Sequence, residues 1–526
     1  MLDLKLVNAR VLTLDREHPR ATQLGVWRGR VFGLDERVAE LPARRVWDLD
    51  GRVVIPGFVD AHVHLAWAGL KSGTPSVAPS DSVPAILDGV REAADRVGPD
   101  DWVDVAGYDQ RPLGRHLTAG ELDAAAPGRR VILTHDSGHS CVVSTPVLRM
   151  LPEDTVHQDG VLVEGGMAAV RQLRMPYSEA ELGRALRRST GVCVSEGVTA
   201  CAEAGIGGGL VTHSPVELAA YQSLREAGQL PLRVQLMVAA AALHPVGAHP
   251  QDGPGEGLDL GLRTGFGDDR LRLGALKIFT DGGMMPRTAA LTEPYEGLEH
   301  AGELYADPEE LTDTIVRGHL AGWQLAIHAI GDRAVDLALD AVAEAQRRHP
   351  RPGARHRVEH AGLVRPDQLP RFAELGLGAV VQPGFLWYLG DDYAPLMGPR
   401  RAPWLYRGQS FLDHGVPLAG SSDRPVTVGA PLRAVEVMVR RASSSGLPIG
   451  PDEAMSVEDA LRAYTLGSAY ACHWEDEVGS LTPGKWADWV VLSEDPCRVD
   501  PERIGQIEVL GTFVAGESVY GLSAPG

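Results

Sequence analysis

Val54-Ile-Pro-Gly-Phe-Val-Asp-Ala-His-Val-His64 decides how the rest of the chain is read. The apolar run Val53 to Val59 reads as a buried strand that ends in His62-Val-His64. Residues two apart on a strand share a face, so both imidazoles leave the same side at its carboxyl end. Two imidazoles converging on one point suit zinc or a similar divalent metal. The bland alternative is a pair of half-exposed histidines at a strand end, and the remainder of the chain has to choose.

The chain has 526 residues, 44% hydrophobic and 23% charged, which is ordinary for a globular protein. Lys+Arg 50 against Asp+Glu 70 gives a net charge of −20. That balance disfavours nucleic acid and anionic membrane as partners. Cys141, Cys193, Cys201, Cys472 and Cys497 form no CxxC pair, so neither a disulfide framework nor a cysteine zinc site is expected. The start, Met1-Leu-Asp-Leu-Lys-Leu-Val7, lacks the pattern of a signal peptide, and the longest apolar run, Leu236 to Leu243, is too short to span a bilayer. The expected location is the cytoplasm.

Working outward, apolar strands recur at helix-length intervals after the first one. They are Gly197–Glu203, Leu232–Val238, Leu271–Phe279, Gln324–His328, His356–His360, Gly378–Pro383 and Pro417–Asp423. Eight strands alternating with helices predict a TIM-like (β/α)8 barrel, whose active site lies at the carboxyl ends of the strands. Residues 68 to 190 are too many for one crossover. They predict an insertion over the barrel mouth, with strands near Trp102–Ala106 and Val131–Thr134. Both chain ends read as short strands with glycine turns, including a hairpin at Gly25–Gly33. Together they predict one small β-sandwich from residues 1–55 and 475–526, around a barrel of residues 56–474.

The polar residues at the carboxyl ends of the eight strands form a set. The first strand supplies His62 and His64, the fourth Lys277, the fifth His328, the sixth His360 and the eighth Asp423. Each has a structural alternative: a satisfied histidine, a paired amine, a helix cap at Ser421-Ser-Asp423. Six at one rim of one barrel point instead to a metal centre. Lys277 carries an added argument. The chain has four lysines (Lys5, Lys71, Lys277, Lys485) and otherwise uses arginine for positive charge. A primary amine inside a buried strand suits chemistry that guanidinium cannot perform. Reaction with carbon dioxide gives a carbamate, an anionic two-oxygen ligand able to bridge two metals. The alternative is an ammonium in a buried ion pair.

In order along the chain, Pro56-Gly-Phe-Val-Asp-Ala-His-Val-His64, Lys277-Ile-Phe-Thr-Asp-Gly282, His328-Ala-Ile-Gly-Asp332, Arg357-Val-Glu-His360, Val381-Gln-Pro383, Gly420-Ser-Ser-Asp423 and Gly479-Ser-Leu-Thr-Pro-Gly-Lys-Trp-Ala-Asp488 resemble the amidohydrolase superfamily. More narrowly they resemble its branch that includes N-substituted formamide deformylase. The resemblance implies two divalent metals, zinc being the expected ion. It implies His62 and His64 on the first metal, His328 and His360 on the second, carboxylated Lys277 bridging them, and Asp423 touching the first metal and the attacking water. It further implies hydrolysis of a small-molecule amide of N-acyl or N-formyl type, with Asp423 moving the proton from water to the leaving amine.

For substrate contacts, Asp136-Ser-Gly-His-Ser-Cys141 resembles a family segment facing the active site, which nominates His139, with Tyr108 nearby. The family's usual Asn-Ser pair is replaced here by Val143-Ser-Thr145. Arg287 in the loop after strand four, and Gln382 and Trp387 after strand seven, are further candidates. Met284 and Met285 suggest an apolar substrate group, and Arg287 or Arg424 a carboxylate, unless each merely fills the core or joins a structural ion pair. Asp332 reads as a helix cap. Two other functions stay open at this point. One is a ring-opening hydrolase or deaminase on the same barrel, although His328-Ala-Ile-Gly-Asp332 offers no glutamate of the deaminase kind. The other is a non-catalytic scaffold resembling the dihydropyrimidinase-related proteins. A homodimer is compatible with either.

Overall fold

A computed structural model describes residues 1–524 except 137–139, 164, 209–213, 248, 250 and 252–254. The chain divides into two compact units. One comprises residues 1–65, 189–212 and 216–526, the other residues 66–188 and 213–215.

The first unit contains eight parallel strands hydrogen-bonded in chain order among the described residues. They are β1 (Phe58–Val63), β2 (Val198–Ile206), β3 (Arg233–Ala239), β4 (Leu271–Phe279), β5 (Leu325–Ala329), β6 (Arg357–His360), β7 (Gly378–Val381) and β8 (Leu418–Gly420). Just past β8, Asp423 N–H donates to His62 O (2.8 Å) and His64 N–H to Arg424 O (2.8 Å), which joins the last strand to the first. The result is the (β/α)8 barrel that the strand spacing predicts. Helix α1 (Pro308–Leu320) precedes β5, and α2 (Asp332–Arg348) follows it.

The run Val53 to Val59 is divided between two sheets. Val53–Pro56 belongs to the sheet of the chain ends, and the barrel strand starts at Phe58. The break falls at Gly57, where a Cβ would lie 2.1 Å from Thr199 Oγ1 on β2. Only glycine lets the backbone cross there.

Small residues dominate the barrel interior. Ala61, Ala200, Ala202, Ala204, Ala275, Ala326 and Ala419 pack with Val59, Met237 and Val380. Large aliphatic side chains usually fill such barrels. Here the space they would take is occupied by Arg357, whose guanidinium donates to Ala61 O (2.6 Å) and to Glu359. The amino-terminal end is closed by the segment around Ala471–Trp474. Gln235 donates to Cys472 O (2.8 Å) and Gln324 to Ala471 O (2.9 Å).

The chain ends form two further sheets, the first from both ends and the second from the amino-terminal end. A six-stranded sheet runs in the order Glu517–Gly521, Val509–Val514, Trp489–Leu492, Val53–Pro56, Arg10–Leu12, Arg20–Ala21. A four-stranded sheet is Arg30–Leu34, Leu24–Trp27, Leu2–Val7, Ala43–Asp48. They share one core in which Leu4, Leu6 and Val26 of one meet Val11, Val54, Trp489 and Phe513 of the other. The Leu24–Leu34 hairpin turns through Arg28 and Gly29, both at positive φ, as the twist of paired strands requires.

The second unit has its own sheet, Val161–Val163, Ser140–Val143, Arg130–His135, Trp102–Tyr108. Its core includes Ile86, Val90, Val105, Leu122 and Leu133. Among the described residues no helix is long and apolar enough to cross a membrane.

A buried histidine chain ties α1 to β6. Leu325 N–H donates to His356 Nδ1 (3.0 Å), so His356 carries its proton on Nε2 and donates to His319 Nδ1 (2.7 Å). His319 Nε2 in turn donates to His349 O (2.7 Å). Every ring nitrogen is used with both rings neutral. Burial holds both imidazoles below their ordinary range, His356 well below it. The unfolded chain binds these protons near pH 6.5, where the folded chain still excludes them. Their contribution to stability is therefore full above about pH 6.5 and is lost as the pH falls through the depressed folded-state values. Thermal melts between pH 7.5 and 5 should show Tm falling with pH, and His356→Asn, which keeps an acceptor for Leu325, should flatten that slope. Parallel slopes in the two proteins would count against this account.

Candidate metal centre

At the carboxyl rim of the barrel, His62, His64, Lys277, His328, His360 and Asp423 are all buried. Asp423 Oδ1 lies 3.4 Å from His62 Nε2 and 3.1 Å from His64 Nε2. The ligand atoms of these three residues all fall within 4.8 Å of one another. Ring centroids are 5.0 Å apart for His62 and His360 and 4.4 Å apart for His328 and His360. Strand register places Lys277 beside Ala326 and His328 beside Glu359, so the fourth, fifth and sixth strands deliver their groups at adjacent levels.

Two of these residues sit at bends that ordinary residues avoid. His360 has φ 72° and Asp423 φ 53°. Non-glycine residues in this region are held there by their surroundings, and such strain concentrates at functional sites. Asp423 is held by its backbone bonds to His62 and Val426. Asp60 accepts from the backbone N–H of His62 (3.2 Å) and of Ser422 (3.0 Å), tying the first strand to the last.

Partners on the other ring nitrogen orient the imidazoles. His62 Nδ1 donates to Glu359, which also accepts from Arg357. His360 Nδ1 donates to Gln382 Oε1 (2.8 Å), and Gln382 donates onward to Ser421 (2.9 Å). His328 Nε2 donates to Gly282 O (3.3 Å). Each acceptor fixes the proton on one nitrogen and leaves the lone pair on the other, the arrangement that a metal-binding imidazole needs. His64 Nδ1 lies 3.9 Å from Glu203. Glu203 also accepts from Leu65 N–H (2.7 Å) and the Tyr221 hydroxyl (2.5 Å).

The electrostatics point the same way. Burial drives the His328 imidazole well below its ordinary range and His360 down to about 3, so both are neutral. Burial pushes the Asp423 carboxyl up, but the adjacent His62 and His64 side chains outweigh it and hold the group well below the usual range. Burial also lowers the Lys277 amine to about 8, against the pull of Glu359 and Asp423. His62 Nε2, His328 Nδ1 and Lys277 Nζ are buried without a hydrogen-bond partner among the described residues. Buried polar atoms are rarely left so. Three such atoms, all nitrogens, around one carboxylate fit divalent metal binding by imidazole and carboxylate.

Comparison with known proteins agrees. The amidohydrolase family model matches residues 45–520. The chain belongs to the amidohydrolase family. As a member it is a hydrolase of carbon–nitrogen bonds other than peptide bonds. The N-substituted formamide deformylase of Arthrobacter pascens is 30% identical over 99% of this chain and 98% of its own. A structure described as an uncharacterized metal-dependent hydrolase from Pyrococcus furiosus has a TM-score of 0.79 and 28% identity, covering 94% of this chain and 100% of its own. A counterpart from Pyrococcus horikoshii OT3 has a TM-score of 0.79 and 26% identity, covering 95% and 99%. Family membership and the buried ligand cluster together support a divalent metal.

The expected substrate residues scatter more widely. His139 lies outside the described residues. Tyr108 is buried within the second unit, its hydroxyl 2.9 Å from His116 Nδ1. Gln382 spends its amide on His360, Ser421 and Val380. Trp387 is covered by the Arg433 guanidinium, 4.3 Å from its ring centre. Arg287 is exposed at a cavity of about 570 Å³ shared with His300, Glu303 and Tyr305, and its guanidinium meets no partner among the described residues. Arg424 pairs with Glu196 (2.6 Å), which answers its role as an ion pair. Met284 is buried in a cluster with Tyr295 and Ile330, whereas Met285 is exposed. Asp332 is the first residue of α2, with Gly331 at the cap position, and binds Thr292 and Arg365 rather than the helix end.

Sequence reasoning passed over Glu359, Asp60, Asp281 and Glu203. Their signal was present, since a carboxylate within a buried strand must find a partner. Asp281 is fully buried and accepts from Ile330 (3.0 Å), Gly331 (2.8 Å) and Ala290 (2.9 Å), fixing the turn after His328. The Arg357–Glu359 pair can be tested directly. Removing one member of a buried pair costs about 3–5 kcal/mol. Glu359→Gln should lower the unfolding free energy obtained from urea titration by that amount, with a lower midpoint, and adding Arg357→Met should recover part of it. An unchanged midpoint in Glu359→Gln would refute a structural role for the pair.

Proposed function

We propose that this chain hydrolyses the amide bond of an N-formyl or N-acyl amine at a two-metal centre, with zinc as the resident ion. The observation that carries the reading is the convergence of His62 and His64 on Asp423, beside a buried Lys277 amine that has no hydrogen-bond partner among the described residues. His62, His64 and Asp423 would hold the first metal, and His328 and His360 the second. Lys277, as the carbamate formed when its Nζ adds carbon dioxide and releases a proton, would bridge them. Metals held there would supply Lewis acidity and a bound water whose pKa falls to about 7.

The protein's own groups perform the remaining work. Asp423, ionised and positioned between two imidazoles, accepts the proton of the attacking water and returns it to the leaving amine. Glu359 and Gln382 keep His62 and His360 in the required tautomers. Arg287, unpaired at its cavity, is available for a polar substituent of the substrate. Leu304 of the same cavity wall bridges to Asp281, which lies 3.4 Å from His328 Nε2.

Metal analysis of freshly purified protein, joined to a screen of N-formyl and N-acyl amines for primary amine release, tests the proposal. Close to two metals per chain and turnover of a linear amide are expected. Ammonia release from a nucleobase, with one metal per chain, would replace this reading with the deaminase one.

A further inference from the structure

Tyr406 lies between α3 (Gly384–Arg401) and β8, and its placement is costly. It has φ 41°, a left-handed conformation that bulky residues avoid. Its backbone is clamped on both sides: the N–H donates to Gly362 O (2.9 Å), and the buried Arg441 donates to the Tyr406 carbonyl (2.7 Å). Arg441 also donates to Leu405 O (2.7 Å), so one buried guanidinium fixes the bend. The clamp stacks the Tyr406 ring on Phe385, centroids 5.4 Å apart, and Phe385 lies 6.4 Å from the His360 ring. Tyr393 packs on Phe385 at 6.3 Å.

The hydroxyl at the end of this arrangement is buried and finds no hydrogen-bond partner among the described residues. A phenol kept solely for packing would be served as well by phenylalanine, without an unsatisfied polar atom. Burial, and after it Tyr393 and the carboxylates of Asp423 and Asp281, push the Tyr406 hydroxyl well above the usual tyrosine range. It stays protonated and is available as a donor.

We infer that Tyr406 contacts the substrate, its hydroxyl donating a hydrogen bond to the amide carbonyl oxygen as that oxygen gains negative charge. The inference rests on the amide-hydrolase reading above. The phenol, separated from the His360 ring by Phe385, would act as one donor of an oxyanion hole, a group used only when substrate is bound. Such a donor would have no hydrogen-bond partner among the described residues, as observed.

Tyr406→Phe, compared with wild type as metal-loaded protein, tests this. Metal content should match wild type and Tm should stay level or rise. The kcat for N-phenylformamide should fall about 10²-fold with KM little changed, the effect of losing one oxyanion donor. Acetohydroxamate, a carbonyl ligand that needs no turnover, should bind the variant about tenfold more weakly. A wild-type protein that binds metal and acetohydroxamate but hydrolyses no amide would defeat the amide reading, while the binding ratio would still report on Tyr406. Equal acetohydroxamate affinity, no binding by wild type, or a lowered Tm with unchanged affinity would each overturn the inference, the last showing a structural hydroxyl.

Discussion

Asp423→Asn lowers kcat by about 10³–10⁴-fold, at the upper end of what general acid–base catalysis contributes, and leaves metal content near that of wild type. The side chain keeps its size and one carbonyl oxygen for the ligand cluster, where His62 and His64 approach Oδ1 at 3.4 and 3.1 Å. What disappears is the ability to take a proton from water and deliver it to the departing amine. The two imidazoles that hold the carboxyl well below its ordinary range keep the wild-type group ionised and ready for that task. The measurement is steady-state kinetics paired with metal analysis on the same preparation. Turnover near the wild-type value would assign the proton transfers to another group. Loss of metal together with turnover would make Asp423 a ligand first.

Lys277→Met removes the proposed bridge without emptying the space. Its expected result is a fall from about two metals per chain to one or fewer after dialysis, with kcat reduced by at least about 10³-fold, since two-metal chemistry depends on both ions. The metal-free variant should melt no lower than metal-free wild type. A buried amine without a hydrogen-bond partner is unfavourable, and a thioether of similar length is not. Burial brings the amine down to about 8, so a sizeable fraction is neutral near that pH and able to add carbon dioxide. Native mass spectrometry of wild type should show one added carbon dioxide that the variant lacks. Two metals retained in Lys277→Met would rule out a bridging role, and a lowered Tm in the metal-free state would favour a structural ammonium.

The barrel strands were legible because each is an apolar run of strand length that ends in a polar residue or a glycine. The candidate ligands were legible because they lie at or near the ends of those runs. The orienting groups were not. Glu359 meets His62, which is 297 positions earlier in the chain, and Asp60 meets Ser422 across a separation of 362. No local periodicity encodes such pairs. Trp387 and Gln382 were nominated by their position in a loop, and only packing shows that one faces Arg433 and the other His360. Gly57 read as part of a continuous strand, because the collision with Thr199 that divides the run arises only when β1 and β2 lie side by side.

The sequence by itself determined the order and number of barrel strands, the residue types at their carboxyl ends and, through them, the family and the class of bond attacked. The strands follow from short-range pattern, since strands buried on both faces read as continuous apolar runs, and the family and bond class follow from resemblance of the motifs at their ends. The tertiary structure alone decided which nitrogen of His62, His328 and His360 holds its proton, which acceptors fix it there, and that the hydroxyl of Tyr406 meets no hydrogen-bond partner among the described residues. Those properties depend on atoms brought together by closure of the barrel, and hydrogen-bond geometry at about 3 Å is set by packing rather than by proximity along the chain.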